Sequence, residues 1–189
     1  MKCVMLSIRP KWCELIADGK KTVEVRKTYP KIETPFRCFI YCTKPKSILR
    51  FVYSENDIKE FCKTADGSSA FCCPPYRGKV IGEFTCDVIT FVVSHPPIFA
   101  GHDLVHAKAC ELACITHDES IEYSGGKDVY GWHISDLKIY DKPKPLDAFT
   151  KCGFDAIVPL KRPPQSWCYV DEIPLFLRED LNLQKENEQ

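Results

Sequence analysis

The chain offers little to any reading that needs a membrane, a secretory route or a nucleotide loop. No apolar run among its 189 residues approaches the ~18 needed to cross a bilayer. The opening MKCVMLSIRPK lacks an apolar h-region and a cleavage site, so no signal peptide is expected. A Walker loop, a GxGxxG fingerprint and a GxSxG elbow are all absent, which sets aside P-loop, Rossmann-type and α/β-hydrolase chemistry. There is no internal repeat and no low-complexity block. There is no excess of charge either: Lys and Arg total 26, and so do Asp and Glu. Despite twelve cysteines, no CxxC pair occurs.

What is present suits one soluble domain. Hydrophobic residues make up 44% and charged residues 28%, ordinary values for a globular protein. Without a leader, the cysteines are expected to be reduced thiols in a cytoplasmic protein. The charge is unevenly spread. Residues 1–50 hold twelve Lys/Arg against four Asp/Glu, so the remainder is correspondingly acidic. A basic N-terminal third fits a surface facing a polyanion. The other reading is a face balanced by acids that lie near it in space.

Local patterns predict the elements. Cys3–Ile8 reads as a strand. Pro10 then opens a short helix over 10–18, with Trp12, Leu15 and Ile16 on one face and Gly19 as the stop. Thr22–Arg26 alternates, with Val23 and Val25 on one side and Thr22, Glu24 and Arg26 on the other. Arg37–Thr43 is a further strand. Residues 44–78 read as an irregular insertion with a helical piece near 57–63. Lys79–Val93 is a long β-rich run, in which Gly82 marks a bulge or close approach. Asp103–Cys114 reads as a helix. Thr116 with Glu119 forms a capping box for another, ended by Gly125-Gly126. Tyr130–Tyr140 alternates like a strand. The proline-broken PLKRPPQSWCYV leads to Val170, and from Asp171 the chain turns acidic and reads as a frayed tail. The expected fold class is α+β: a small, strongly curved sheet or barrel with peripheral helices. The expected organisation is one domain over 1–170 and a tail over 171–189.

Four segments carry a family resemblance. LSIRPKWCELIADGKKTVEVRK resembles the opening of the ASCH domain family, with Gly19, Lys21, Glu24 and Arg26 at the positions of its Gly-x-Lys-x-x-Glu-x-Arg pattern. GKVIGEFTCDVI (78–89) is similar to that family's central strand and YGWHISDLKIYDKP (130–143) to its closing strand. PPQSWCYV (163–170) is similar to the ending of small bacterial and phage-type members. The resemblance implies a PUA-like β-barrel with a cleft, and a role in binding RNA. A subset of the family resembles N4-acetylcytidine amidohydrolases, which use a Lys, a Thr and a Glu. Lys21 matches the Lys and Glu83 is the expected Glu, but Glu24 stands at the Thr position. A carboxylate is no acyl-accepting hydroxyl, so it would have to activate water instead.

The residue types suggest what such a cleft does. Lys20 and Lys21 precede a strand face bearing Glu24 and Arg26, and Glu83 joins them if the strands close a barrel. A guanidinium holds phosphate bidentately, and a carboxylate accepts from a base amino group. A lysine among charges can act as acid or base. Lys21, Glu24 and Glu83 are therefore the candidate catalytic residues. Lys20, Lys21, Arg26, Ser7, Arg9 and Trp132 are the candidate nucleic-acid contacts. The competing reading is a structural ion-pair cluster in a small-molecule or protein interaction module. His102, His106, Cys110 and Cys114 recur every fourth residue, but on one helix they span roughly 18 Å and cannot surround one ion. Cys110 and Cys114 would supply half a site, with Cys62, Cys72-Cys73 or His117 needed to complete it, but none forms a CxxC pair, so no metal or cofactor is expected. The expected partner is RNA or a modified nucleoside.

Overall fold

The computed structural model describes residues 3–44, 76–93, 102–152, 157–174 and 177. The strands are β1 (Cys3–Ile8), β2 (Val23–Arg26), β3 (Phe36–Cys42), β4 (Lys79–Cys86), β5 (Ile89–Val93), β6 (Val129–His133), β7 (Ser135–Lys144), β8 (Phe149–Lys151) and β9 (Trp167–Glu172). The helices are α1 (Pro10–Ala17), α2 (His102–Ala113) and α3 (His117–Ser124), with a 3-10 turn at Leu146–Ala148. None is long and apolar enough to cross a membrane. Most of the expected insertion and most of the expected tail lie outside the described residues.

Six strands form one sheet in the order β7-β4-β3-β1-β9-β8, and β2-β6-β5 form a second. Strand β1 sits inside the first sheet, parallel to β3 and antiparallel to β9. It is therefore apolar on both faces. Val4, Leu6 and Ile8 pack with Cys38, Ile40, Phe84, α1's Cys13 and Ile16, and Trp132 of the second sheet. Met5 packs on the opposite face with Phe39, Val80, Phe149 and Val170. Each fully buried side chain of this kind contributes roughly 1.5–3 kcal/mol. The second sheet's far side, Val92, Val93 and Val129, packs on Ala109 and Cys110 of α2.

The α+β class holds, but the described strands make two sheets and not one closed barrel. Two long runs break where the chain changes sheet. Lys79–Val93 divides at Asp87–Val88, between β4 and β5, and Tyr130–Tyr140 divides at Ile134, between β6 and β7. His133 and Ile134 spend their N–H groups on the Val88 and Thr22 carbonyls, and Asp136 adopts φ +47°. The fold also continues past 170. Strand β9 runs through Glu172, and Ile173 is buried, so the acidic composition from Asp171 does not mark where order ends.

Two local signals act as the sequence predicts. Thr116 Oγ1 accepts from Glu119 N–H, while the Glu119 carboxylate accepts from Thr116 N–H. Gly82 lies between two irregular register steps, and a Cβ there would meet the Lys138 carbonyl oxygen at 2.5 Å.

Candidate functional site

A buried charged cluster forms where α1 hands the chain to β2. Helix α1 ends at Gly19, whose φ of +71° turns the backbone out of the helix. The Lys20 and Lys21 amides both donate to the Leu15 carbonyl, and Thr22 N–H donates to the Leu112 carbonyl near the end of α2. This swings Lys21 under α2. Its Nζ donates to the Ala113 carbonyl at 2.8 Å, one of the free carbonyls at a helix C-terminus, where a cation is favoured. The same Nζ lies 3.5 Å from Glu24 Oε2 and 5.0 Å from the centre of the Trp12 ring. Glu24 Oε1 lies 2.8 Å from Arg26 Nη2, which donates to the Ser7 carbonyl of β1 at 2.9 Å. Strand β2 thus turns its polar side inward, onto Trp132, which faces Glu24 across the β2–β6 ladder.

Burial defines what this cluster can do. Lys21 is 3%, Glu24 5% and Arg26 8% exposed. Two cations surround one carboxylate, so a positive charge stays out of water. Burial pulls the Lys21 pKa down, and Glu24 opposes that pull without cancelling it. Three buried polar atoms make no hydrogen bond among the described residues: Glu24 Oε2, Arg26 Nε and Trp132 Nε1. Buried polar atoms without a partner are few in folded proteins, and each costs roughly 1–3 kcal/mol. Here one acceptor and two donors of this kind occur together.

The other expected contacts scatter. Ser7 belongs to the cluster through its carbonyl, while its hydroxyl donates to the Pro164 carbonyl at 2.6 Å. Arg9 is exposed and caps α1, its carbonyl accepting from the Trp12 and Cys13 amides. Lys20 is exposed and pairs with Asp18. Trp132 is wholly buried, 5.8 Å from Phe36 and 6.0 Å from Trp167 between ring centres, so it is no exposed stacking platform. Glu83 does not join Lys21 and Glu24. It faces Phe39 across β3–β4, which puts it on the opposite face of the six-stranded sheet from Trp132. There it binds Arg37, with Nε at 2.8 Å, and accepts from the Tyr140 hydroxyl at 2.6 Å. Lys144 and Glu172 pair beside it. Burial alone would raise the Glu83 pKa, but the Tyr140 and Arg37 hydrogen bonds win and hold it below the usual carboxylate value. The two sheets do not close into a barrel that would bring β4 round to β2.

Several neighbours of the cluster carry no signal in the sequence. Tyr123, in the last turn of α3, lies within the fields of Arg26 and Glu24, and burial raises its pKa. Lys27 Nζ sits 5.1 Å from that ring's centre. One row along from Trp132, Tyr130 stands between Arg26 and Phe91 in the ladders. Tyr29 packs edge-on against Tyr130 at 4.6 Å, and Phe91 lies 5.2 Å from it. Tyr29 and Phe91 are exposed, so ring faces border the cluster where the sequence drew attention to other aromatic positions.

The cysteine–histidine stripe is used otherwise. His106 Nε2 lies 2.6 Å from Ser120 Oγ, Cys110 is buried against the second sheet, and Cys114 Sγ donates to the Lys20 carbonyl. Among the described residues no three metal-ligating side chains gather. Cys62, Cys72 and Cys73 lie outside them. Among the described cysteines, Cys13, Cys38, Cys86, Cys110, Cys114 and Cys168 are free thiols, and burial pushes Cys86 up to about 12.

Known proteins resemble this chain in sequence and in fold. The ASCH domain family profile matches residues 6–72. An ASCH domain-containing ribonuclease from Zymomonas mobilis is 40% identical over 55 residues, which are 29% of this chain and 37% of that protein. The alignment thus spans little more than a third of the relative. The crystal structure of ASCH from Zymomonas mobilis matches with a TM-score of 0.53 and 18% identity, over 94% of this chain and 92% of that one. A point mutant of the same protein matches with a TM-score of 0.54 and 18% identity, over 96% of each chain. At that identity the likeness establishes a shared mixed α+β fold.

Proposed function

Because this chain carries an ASCH domain, we propose that it binds RNA or a modified nucleotide in the cytoplasm, reading one base at the Lys21–Glu24–Arg26 cluster. The ribonuclease name of the Zymomonas relative supports RNA as the ligand class. The observation that carries the reading is the set of three buried atoms without a hydrogen bond among the described residues: Glu24 Oε2, which has only the Lys21 ion pair, Arg26 Nε and Trp132 Nε1. One acceptor beside two donors complements the pairing edge of cytosine, which offers one amino donor and two acceptors. Glu24 takes the amino group, and the indole and guanidinium N–H groups serve the ring nitrogen and carbonyl. Lys21 holds the carboxylate from behind and is too buried to meet a phosphate backbone. Tyr29, Tyr130 and Phe91 supply ring faces for the neighbouring nucleotide, a contact type worth roughly 1–3 kcal/mol per base. In this reading the paired sheets are a PUA-like scaffold.

Calorimetry with cytidine and uridine tests it. Uridine presents an acceptor where cytidine presents its amino group, so it should bind about tenfold more weakly or worse. Glu24→Gln should erase that difference. Equal affinities in the parent protein sink the reading.

A second reading, hydrolysis of N4-acylated cytidine, is favoured by Lys21 lying 3.5 Å from the Glu24 carboxylate with its pKa lowered by burial. Lys21 donates to the Ala113 carbonyl and to no hydroxyl among the described residues, so the step here is attack by water with Glu24 as base. The amide C–N bond breaks, water's oxygen joins the acyl carbon, and the proton reaches the departing amine. N4-acetylcytidine left intact by excess protein removes this reading.

A further inference from the structure

The buried cluster meets one base and leaves the RNA backbone unaccounted for. A groove elsewhere has the chemistry for it. It encloses about 680 Å³ between Thr43–Lys44, Gly78, Pro145–Asp147 and the 159–163 segment. A second hollow of about 410 Å³, against Thr150 and Lys151, lies along the same Pro159–Lys161 segment. Four cations line the two, Lys44, Lys151, Lys161 and Arg162, against a single acid, Asp147.

Among the described residues those four side chains are not tied up in ion pairs, unlike six other cations. Lys20, Lys21, Arg26, Arg37, Lys108 and Lys144 are each paired with a carboxylate. Lys44, Lys151, Lys161 and Arg162 are exposed, and none has an ion pair among the described residues. Unneutralised positive charge along a concave track attracts a linear polyanion.

The walls favour a nucleic-acid strand over an acidic peptide. A peptide held in a groove beside a sheet edge gains most from backbone hydrogen bonds. That edge is closed here. Thr150 bridges to Pro159, its Oγ1 both donates to and accepts from Val158, and Leu160 N–H donates to the Phe149 carbonyl. Pro145, Pro159 and Pro163 bring no N–H donors, only apolar ring faces. Sugars can pack on such faces while cations take the phosphates. The track lies on the Met5–Phe39 face of the six-stranded sheet and the base site on the other, with Ser7 of β1 between them. The Ser7 carbonyl accepts from Arg26, and the Ser7 hydroxyl holds Pro164, next to the Pro163 wall.

We infer that this proline-walled groove is the backbone track for single-stranded RNA, with Lys44, Lys151, Lys161 and Arg162 as phosphate contacts. The inference rests on the proposed RNA reading but uses residues separate from the base site. The test is fluorescence anisotropy of the full chain with a short labelled single-stranded RNA across a salt series. Four phosphate contacts give a slope of log affinity against log salt of about −2.8. The variant Lys151→Ala/Lys161→Ala/Arg162→Ala should lose about 2 of that slope and bind at least about tenfold more weakly at low salt. Its melting temperature and its cytidine affinity should stay unchanged, and Lys161→Glu alone should act in the same direction. Unchanged slope and affinity in the triple variant overturn the track while sparing the base site. Displacement of the RNA by polyglutamate at equal charge also overturns it, in favour of an acidic protein partner. Glu24→Gln should erase the preference for cytidine over uridine and leave the slope intact. Absent cytidine binding with the predicted slopes removes the base reading and keeps the track.

Discussion

Glu24→Gln is the most informative change to make in this protein. It keeps the side chain's shape and removes the one carboxylate among the described residues that pairs with Lys21 and Arg26. Both cations are at least nine-tenths buried and cannot recover the loss from water. Removing one member of a buried ion pair costs about 3–5 kcal/mol. For a chain of this size each kcal/mol moves the melting temperature by roughly 2–4 °C, so the expected fall is roughly 6–20 °C. The pH dependence has a definite sign. Lys21 already titrates below an ordinary lysine because burial outweighs the help from Glu24. Without Glu24 its folded pKa drops further, while the unfolded value stays near ~10.4. Between those two values the native state binds fewer protons, so stability rises with pH there, and below the folded value the full cost remains. The gap in melting temperature between variant and parent should therefore narrow as pH climbs from about 7 towards 10. Adding Lys21→Met to Glu24→Gln should restore part of the loss at neutral pH. Differential scanning fluorimetry across that range measures all of this. A fall under about 2 °C with a pH-independent gap would falsify the picture of a desolvated charge cluster.

Other predictions follow from single contacts. Gly82→Ala puts a Cβ onto the Lys138 carbonyl, which is backbone and cannot step aside, so the urea midpoint should drop by the equivalent of about 1–3 kcal/mol. Thr116→Ala removes the side-chain half of the α3 cap and should cost about 1 kcal/mol, seen as a melting shift of roughly 2–4 °C. Glu83→Gln should destabilise the protein at neutral pH, where the carboxylate holds Arg37 and Tyr140. Because the Glu83 pKa is depressed, its contribution is present above the ordinary glutamate value and fades as pH falls through the folded one. Parent and variant melting curves should converge in acid, and a gap that persists there would contradict the assignment.

Much of the local structure was legible because it rests on short-range chemistry. The Pro10 start, the Gly19 stop and the Thr116–Glu119 box each depend on a few adjacent residues, and each appears in the structure. The alternation of β2 was legible too, but not which side faces in. Glu24 and Arg26 read as the polar lining of an open cleft, not as buried side chains. They turn inward because Ala113 and Ser7, distant in sequence, offer carbonyls for the two cations. Glu83 shows the complementary difficulty. Its strand was evident, yet its partners depend on which sheet face β4 presents, a matter of register and sheet order. Tyr123 and Phe91 reach the site only through tertiary packing. The uneven charge pointed to basic N-terminal residues, whereas three of the four unpaired groove cations come from 151–162.

The position of β1 has a consequence for the order of assembly. Its parallel neighbour β3 follows within the same 6–72 stretch that matches the family profile, but its other neighbour, β9, is made some 160 residues later. Until β9 arrives, β1 keeps a bare hydrogen-bonding edge flanked by apolar side chains, the arrangement that invites pairing between chains. Such distant pairings form slowly. A nascent or truncated chain ending before Trp167 should thus be the aggregation-prone species. The Ser7–Ser166 backbone bond, beside the carbonyl that receives Arg26, would be among the last to form.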